Sequence, residues 1–180
     1  MTYTERVVIL SELAERLRAK GSWCGETHLQ KSVYLLQHVE KVPLGFEFVL
    51  YRHGPFSFDL REELSAMRGD GFLRVEPQSY PYGPRLMADP SSAAVRSAHA
   101  GALRRYEKNI EAVADIVGAK GVADLEKLAT ALFVSESAPG ASAEIRAVRI
   151  NEMKPHVSYD DALAAVSAVD DILLRCSSQE

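Results

Sequence analysis

The stretch SFDLREELSAMRGDGFLRVE, residues 57–76, predicts a helix that is followed at once by a β-strand. Ser57 is a suitable N-cap because its hydroxyl can accept a hydrogen bond from a free backbone N–H of the first turn. Gly69-Asp70-Gly71 ends the helix, and FLRVE at 72–76 then predicts a strand. The apolar residues of one helix face recur at helical spacing and predict a buried stripe: Phe56, Leu60, Leu64 and Met67.

The segments on either side complete a recognisable order of elements. A second short strand at 85–88 follows a loop rich in Pro, Gly and Tyr, and the two strands predict a β-hairpin. Upstream, apolar periodicity predicts helices over 4–20 and from 25 to shortly before Pro43. The run at 46–51 predicts a strand, and 52–55 a turn. Helix, helix, short strand, helix and hairpin is the order of a winged helix, with the third helix as recognition helix and the hairpin as wing.

The remainder of the chain is predicted to be helical. One helix of about 25 residues covers 93–117, and further helices are predicted over 122–134, over 143–153 and after Ser158, whose hydroxyl can cap the last one. We therefore expect a mostly α fold of the α+β class. A winged-helix-like module with a small β-hairpin over 1–90 is packed on a helical C-terminal half over 91–180, in one continuous fold.

The composition is that of an ordinary globular protein: 180 residues, of which 47% are hydrophobic and 26% charged. This composition excludes a collagen-like, disordered or disulfide-rich chain, and no apolar run approaches the ~18 residues of a membrane span. Cys24 and Cys176 lie far apart and, with no signal peptide read at the N-terminus, favour a reducing compartment. We expect a cytoplasmic protein without membrane contact.

Five arginines on or near the predicted recognition helix and wing are candidates for nucleic-acid contact: Arg52, Arg61, Arg68, Arg74 and Arg85. Arg61 and Arg68 lie two turns apart and share a helix face, and a guanidinium can pair bidentately with a guanine edge. Against DNA binding, the formal net charge is −4, and the carboxylates of Asp59, Glu62 and Glu63 on the same helix repel phosphate. A salt-bridged surface helix is the alternative interpretation of this segment.

The case for catalysis rests on Cys24 and His28, which would form a thiolate–imidazole pair if one helix held both. Gly25 between them places Cys24 before the helix, so a buried cysteine beside Trp23 is the alternative. The five histidines and two cysteines show no metal-ligand spacing. No cofactor, metal site or catalytic residue is predicted, and a small Cys-dependent hydrolase is the remote alternative function.

Two motifs carry a resemblance to a known family. HLQKSVYLL at 28–36 resembles the "LQK-x-x-Y-L" helix of bacterial YwgA-like proteins and of the related Panacea (SocA-like) antitoxin domains. FVLYRHGPFS at 48–57 resembles the "Y-x-x-GP-x-S" turn that follows this helix in those proteins. The segments 125–130 and 154–155 are similar to the C-terminal half of the YwgA-like proteins. The resemblance implies a non-catalytic neutraliser or adaptor in a toxin–antitoxin or defence-linked system.

The first hypothesis is accordingly a cytoplasmic bacterial adaptor or antitoxin-like regulator that docks a protein partner. On the 28–36 helix, Gln30 and Lys31 are expected to project outward, and with Tyr34 and His53 they form the predicted partner contact. A winged-helix transcriptional regulator that binds DNA is the alternative. The helix over 93–117 has apolar residues spaced as in a helix-pair seam, so it can also support a homodimer.

Overall fold

The computed structural model describes residues 1–79 and 83–177. Most of these residues are helical, and the strands form two separate antiparallel pairs. The mostly α fold class with small β-hairpin content is therefore confirmed. None of the helices in these ranges combines the length and apolarity that crossing a membrane requires. In chain order the elements are α1 (Tyr3–Ala19), α2 (Glu26–His38), β1 (Val49–Tyr51), β2 (Gly54–Phe56), α3 (Phe58–Gly69), β3 (Leu73–Glu76), β4 (Arg85–Ala88), α4 (Pro90–Ala98), α5 (Ala100–Val117), α6 (Val122–Ser137), α7 (Ala143–Met153) and α8 (Tyr159–Ser177).

The chain forms two compact units. The first unit comprises Met1–Phe48 and Ser57–Gly121, and the second comprises Val49–Phe56 and the chain from Val122 onward. The division falls after α5 and not at residue 90, where the sequence analysis places the end of its N-terminal module. The physical reason is that α4 and α5 both contact α1, and the apolar residues of α5 are buried in the core of the first unit.

The first unit positions α3 and the hairpin that follows it. Ser57 caps α3 as predicted, since its Oγ accepts a hydrogen bond from the Leu60 N–H at 3.1 Å. The predicted hairpin is present as well, with Leu73 opposite Ala88 and β3 in contact with α3. The loop predicted between its strands includes residues 80–82, which lie outside the described residues. Helix α3 followed by β3 and β4 thus has the order predicted for a recognition helix and wing.

The strand predicted over 46–51 is present but shorter. It covers Val49–Tyr51 and pairs with Gly54–Phe56 across a turn at Arg52 and His53. Gly54, predicted as part of the turn, begins β2 with a φ of +85°, which glycine adopts at little cost. Because this hairpin belongs to the second unit and does not pair with β3 or β4, it is not part of the predicted winged-helix module.

The prediction of a single helix over 93–117 is wrong. Helix α4 ends at Ala98 and α5 begins at Ala100, with a non-helical ψ of 33° at His99 between them. Asp89 caps α4, since its Oδ1 accepts a hydrogen bond from the Ser91 N–H at 3.0 Å, and Pro90 occupies the first turn. The homodimer through this segment stays a prediction, and the apolar face of α5 is already buried within one chain.

The second unit contains α6, α7 and α8, which contact one another, and the β1–β2 hairpin, whose β2 contacts α6. Helix α7 has its predicted bounds, whereas α6 continues to Ser137 instead of ending at Val134. Ser158 caps α8 as predicted, with its Oγ accepting from the Asp161 N–H at 3.1 Å. Arg146 of α7 and Asp170 of α8 form a bidentate ion pair with two N–O distances of 2.7 Å.

Candidate functional site

Three of the four residues predicted to contact a protein partner are buried in the first unit. The exposed fractions of Gln30, Lys31 and Tyr34 are 0%, 1% and 0%, so the expectation that Gln30 and Lys31 project outward is wrong. The physical reason is that α2 is enclosed: every residue from His28 to Leu36 is buried, whereas a surface helix exposes one face. These three side chains do not offer an exposed contact surface.

Gln30 instead holds the backbone at the start of α3. Its Nε2 donates to the Ser57 carbonyl and its Oε1 accepts from the Ser57 N–H, both at 2.9 Å. Gln37, two turns further along α2, makes the same pair of bonds with Phe46, at 2.8 and 2.9 Å. Each side-chain amide therefore pairs with both the N–H and the C=O of one residue, so the hydrogen-bonding capacity of these two buried backbone groups is satisfied.

The two motifs that carry the family resemblance meet at these contacts. Gln30 lies in the 28–36 motif, and Ser57 ends the 48–57 motif. Tyr34 of the first motif contacts Phe48 of the second, with ring centroids 5.0 Å apart. These residues have a structural role because they join α2 to the segments on both sides of the β1–β2 hairpin.

Helix α3 presents exposed polar side chains next to the β3–β4 hairpin. Arg61, Ser65 and Arg68 are spaced i, i+4 and i+7, and so lie on one side of the helix; we call these three residues the arginine face. They line a small cavity of about 100 Å³ together with Val75 and Leu86 of the hairpin. The two predicted arginines of this helix are therefore brought to the groove between the predicted recognition helix and the predicted wing.

Two of the three carboxylates of α3 lie on the side of the helix opposite the arginine face. Successive helical residues are rotated by about 100°, which separates Asp59 and Glu63 from the arginine face, whereas the exposed Glu62 borders it one turn from Ser65. Glu63 also binds α1, since its Oε1 accepts from Arg6 Nε at 2.6 Å. A carboxylate of another helix also remains close, because Glu26 of α2 borders the same cavity as the arginine face. The repulsion expected from Asp59 and Glu63 is thus directed away from the arginine face, whereas Glu62 and Glu26 lower the positive potential beside it.

The other three predicted arginines have different environments. Arg74 is exposed on β3, opposite Met87. Arg85 is half-buried, with its guanidinium 4.6 Å from the centre of the Trp23 ring and 3.6 Å from Glu76, so it stabilises the hairpin. Arg52 is exposed in the β1–β2 turn and belongs to the second unit. The first unit therefore exposes Arg61, Arg68 and Arg74 on α3 and its hairpin.

Cys24 and His28 face different partners. The Cys24 thiol contacts the Ala14 carbonyl, with Sγ 3.8 Å from the oxygen, and His28 Nε2 lies 3.0 Å from the Lys120 carbonyl oxygen. Burial raises the pKa of the Cys24 thiol to about 12, and a protonated thiol is a poor nucleophile. Burial also lowers the pKa of His28. Both side chains lie in the core, and their arrangement does not favour Cys-dependent hydrolysis.

His53, the fourth predicted partner contact, is exposed and belongs to a charged group in the second unit. Its Nδ1 lies 3.3 Å from Glu126 Oε2, and His156 Nε2 lies 3.3 Å from Glu126 Oε1. Lys154 Nζ lies 3.4 Å from the same Oε1. We call these four residues the Glu126 cluster. Glu126 and Lys154 are buried, whereas the two imidazoles are exposed.

The Glu126 cluster fixes the β1–β2 turn to α6. Lys154 Nζ donates to the carbonyl oxygens of Tyr51, at 2.7 Å, and of Arg52, so the buried ammonium has both a counter-charge and hydrogen-bond acceptors. Among residues 1–79 and 83–177, no group of three His, Cys, Asp or Glu side chains is arranged to hold a metal ion. Sequence patterns do not predict this cluster, because its members are distant in the chain and follow no motif spacing.

Comparison with known proteins gives no family assignment. A scan against protein-family models finds no match for this chain, and a search of curated proteins finds none either. The resemblance to the YwgA-like and Panacea proteins stays a prediction, and the candidate site rests on its own geometry.

Proposed function

We propose that this protein is a regulator that binds duplex DNA through α3 and the β3–β4 hairpin. The observation that carries the proposal is the arginine face, which is exposed on one side of α3 beside the hairpin, while Asp59 and Glu63 lie on the opposite side of that helix. An α-helix with its side chains is about 10–12 Å wide, which matches the B-DNA major groove of about 12 Å. The element order supports the same docking.

The positions of the arginines give each of them a role. Arg61 lies in the first turn of α3, and the N-terminal residues of a recognition helix reach the base edges. A guanidinium there reads guanine through its O6 and N7 atoms. In this proposal Arg68 near the end of α3 and Arg74 on β3 bind phosphates, which adds affinity without sequence information.

The charge of the whole chain limits the affinity for DNA of arbitrary sequence. The formal net charge is −4, so long-range attraction to phosphate is weak and binding depends on local contacts. With about three arginine contacts, a specific guanine-containing site is bound much more tightly than random DNA. We therefore expect a sequence-selective regulator and not a protein that binds nucleic acid without sequence preference.

The test is a selection from a randomised duplex library followed by fluorescence anisotropy on the enriched duplex. We expect submicromolar binding at low salt and at least a fivefold loss on Arg61→Ala, because one bidentate arginine–guanine contact contributes about 1–3 kcal/mol. The matched control is Arg149→Ala, which removes an exposed arginine from α7 in the second unit. Failure to enrich any site, or equal affinities of the two variants, would contradict the proposal.

Docking of a protein partner is the second candidate function, and a different surface supports it. On α7, Ile145, Val148 and Met153 are exposed to 51%, 46% and 52%, on a side of the helix that also carries the exposed Arg149 and Glu152. Exposed apolar residues that cluster in this way are typical of interaction sites. We propose that this stripe receives the apolar face of an amphipathic helix from a protein partner, as an antitoxin-like adaptor would.

The test of this second candidate is to purify the protein from its native host as the wild type, as Val148→Glu and as Ala164→Glu. Ala164→Glu is the matched control, because it places the same charge on the exposed side of α8. One protein that is retained by the wild type and the control, and lost with Val148→Glu, is the expected result. That protein must then bind the purified chain as an isolated component. A stripe that only joins two copies of this chain gives a dimer in sedimentation experiments, which would overturn docking of a different protein.

A further inference from the structure

The first unit contains a larger cavity that is separate from the arginine face. Its volume is about 530 Å³, within the range of small-molecule sites. The N-terminal turns of α1, the end of α3 and the helix α4 form its walls. The walls are mainly apolar, with Val7, Phe72 and Val95 among the lining side chains. Asp70, Ala94, Ala98 and His99 among its lining residues are exposed, so the cavity is open to solvent on one side, and its apolar walls favour a ligand with an apolar body.

One end of the cavity carries a polar pair. Tyr3 Oη donates a hydrogen bond to Asp70 Oδ2 at 2.6 Å, and both residues line the cavity. Burial and the neighbouring Asp70 carboxylate raise the pKa of the Tyr3 hydroxyl, so the phenol keeps its proton and remains the donor. The bond orients the carboxylate, which has further lone pairs that accept hydrogen bonds from a ligand.

The negative charge of the Asp70 carboxylate determines which ligand charge the cavity favours. An ionised carboxylate accepts hydrogen bonds and attracts positive charge, so the exposed Asp70 favours a ligand that carries an ammonium group. An anionic ligand of the same size meets repulsion from Asp70. Arg6 of α1 acts on Tyr3, but it is paired with Glu63 at 2.6 Å, whose negative charge also acts on Tyr3 and opposes that of Arg6.

We propose that this cavity binds a small primary amine with an aromatic or aliphatic body. The ammonium group binds Asp70, which Tyr3 holds in place, and the body lies against Val7, Phe72 and Val95. His99 lies at the junction of α4 and α5 and borders the same cavity. The site lies outside the arginine face, so it holds whether or not the chain binds DNA.

Isothermal titration calorimetry at pH 8 with two matched probes tests this proposal. Tryptamine and indole-3-propionate share the indole ring and the two-carbon linker, and they carry opposite charges. We expect tryptamine to bind at least tenfold more tightly than indole-3-propionate. Equal binding of the two probes, or no binding of tryptamine at millimolar concentration, would overturn the proposal.

Two variants locate the bound amine. Asp70→Asn keeps an oxygen that accepts from Tyr3 and removes the charge, so tryptamine affinity falls at least tenfold, whereas the exposed Asp59→Asn leaves it unchanged. Ala94→Leu fills part of the cavity and also abolishes binding, whereas Ala93→Leu on the same helix, outside the cavity, has no effect. If Asp70→Asn does not fold, the comparison of Ala94→Leu with Ala93→Leu tests the site instead. If a folded variant and its control bind tryptamine with equal affinity, the proposed site is wrong.

Discussion

Gln30 and Ser57 exchange two hydrogen bonds of 2.9 Å, in which the side-chain amide of the glutamine contacts the backbone N–H and C=O of the serine. Both residues are fully buried. Ser57 in turn caps α3 through its hydroxyl, so this one contact connects the enclosed helix α2 to the start of the helix that carries the arginine face.

Replacement of Gln30 by alanine leaves the buried Ser57 N–H without its acceptor. We expect Gln30→Ala to lower the free energy of unfolding by about 2–3 kcal/mol, measured by urea denaturation. The control is Gln37→Ala, which removes the equivalent pair of bonds to Phe46 from a half-buried side chain. Water can reach that position, so a loss of about 1 kcal/mol is expected. If Gln30→Ala and Gln37→Ala lower the free energy of unfolding equally, burial of the amide does not determine the size of the loss.

The buried pair of Lys154 and Glu126 gives a prediction for the second unit. Lys154→Met removes the ammonium 3.4 Å from Glu126 Oε1 and leaves a buried carboxylate beside the exposed imidazoles of His53 and His156. We expect a loss of about 3 kcal/mol in the free energy of unfolding. The half-exposed Lys127, 3.4 Å from Asp161, is the matched control, and Lys127→Met is expected to cost less than about 1 kcal/mol.

A double variant separates the ion pair from simple loss of packing. In Glu126→Gln with Lys154→Met no charge is left unpaired, so the combined loss is expected to be smaller than the sum of the two single losses. Additive losses would mean that the two charges do not interact and that the position of the Glu126 cluster has another cause.

The lowered pKa of His28 predicts how the free energy of unfolding depends on pH. Burial lowers the pKa of His28 in the folded protein, while in the unfolded chain the pKa returns to about 6.5. The unfolded state therefore binds more protons below that pH, and the free energy of unfolding falls as the pH is lowered from about 6.5 towards the folded-state pKa. Above about 6.5 the contribution is constant, because His28 is then neutral in both states.

The comparison of wild type with His28→Gln isolates this effect. Glutamine can still donate to the Lys120 carbonyl but does not titrate, so thermal unfolding from pH 8 to pH 5 is expected to show a shallower loss of stability. His99→Gln changes an exposed histidine and serves as the control. Parallel curves for wild type and His28→Gln would contradict the assignment of a neutral buried imidazole.

Local signals in the sequence predict a large part of this fold. The caps at Ser57 and Ser158 follow from side chains that bond their own helix, and the β3–β4 hairpin follows from two short strands around a loop. The break at His99 is not predicted from the sequence because no proline lies at or just after it. The nearby Gly101 alone does not predict a break.

Burial of polar residues was the main feature that periodicity failed to predict. Gln30 and Lys31 occupy positions that expose polar side chains on an amphipathic surface helix, but α2 is surrounded by protein. Whether a helix is enclosed depends on tertiary packing, which local spacing does not contain. The Glu126 cluster was missed for the same reason, since it brings α6, the β1–β2 turn and the segment after α7 to one carboxylate.

The salt dependence of DNA binding tests the role of the arginine face most directly. The measurement is the affinity for the selected duplex across a range of salt concentrations, for wild type, Arg68→Ala, Arg74→Ala and Arg149→Ala. We expect a plot of log K against log salt with a slope of about −2 to −3, reduced in magnitude by about 1 in Arg68→Ala and in Arg74→Ala and unchanged in Arg149→Ala. A slope near zero, or one that is the same in all four proteins, would contradict DNA binding through α3 and its hairpin.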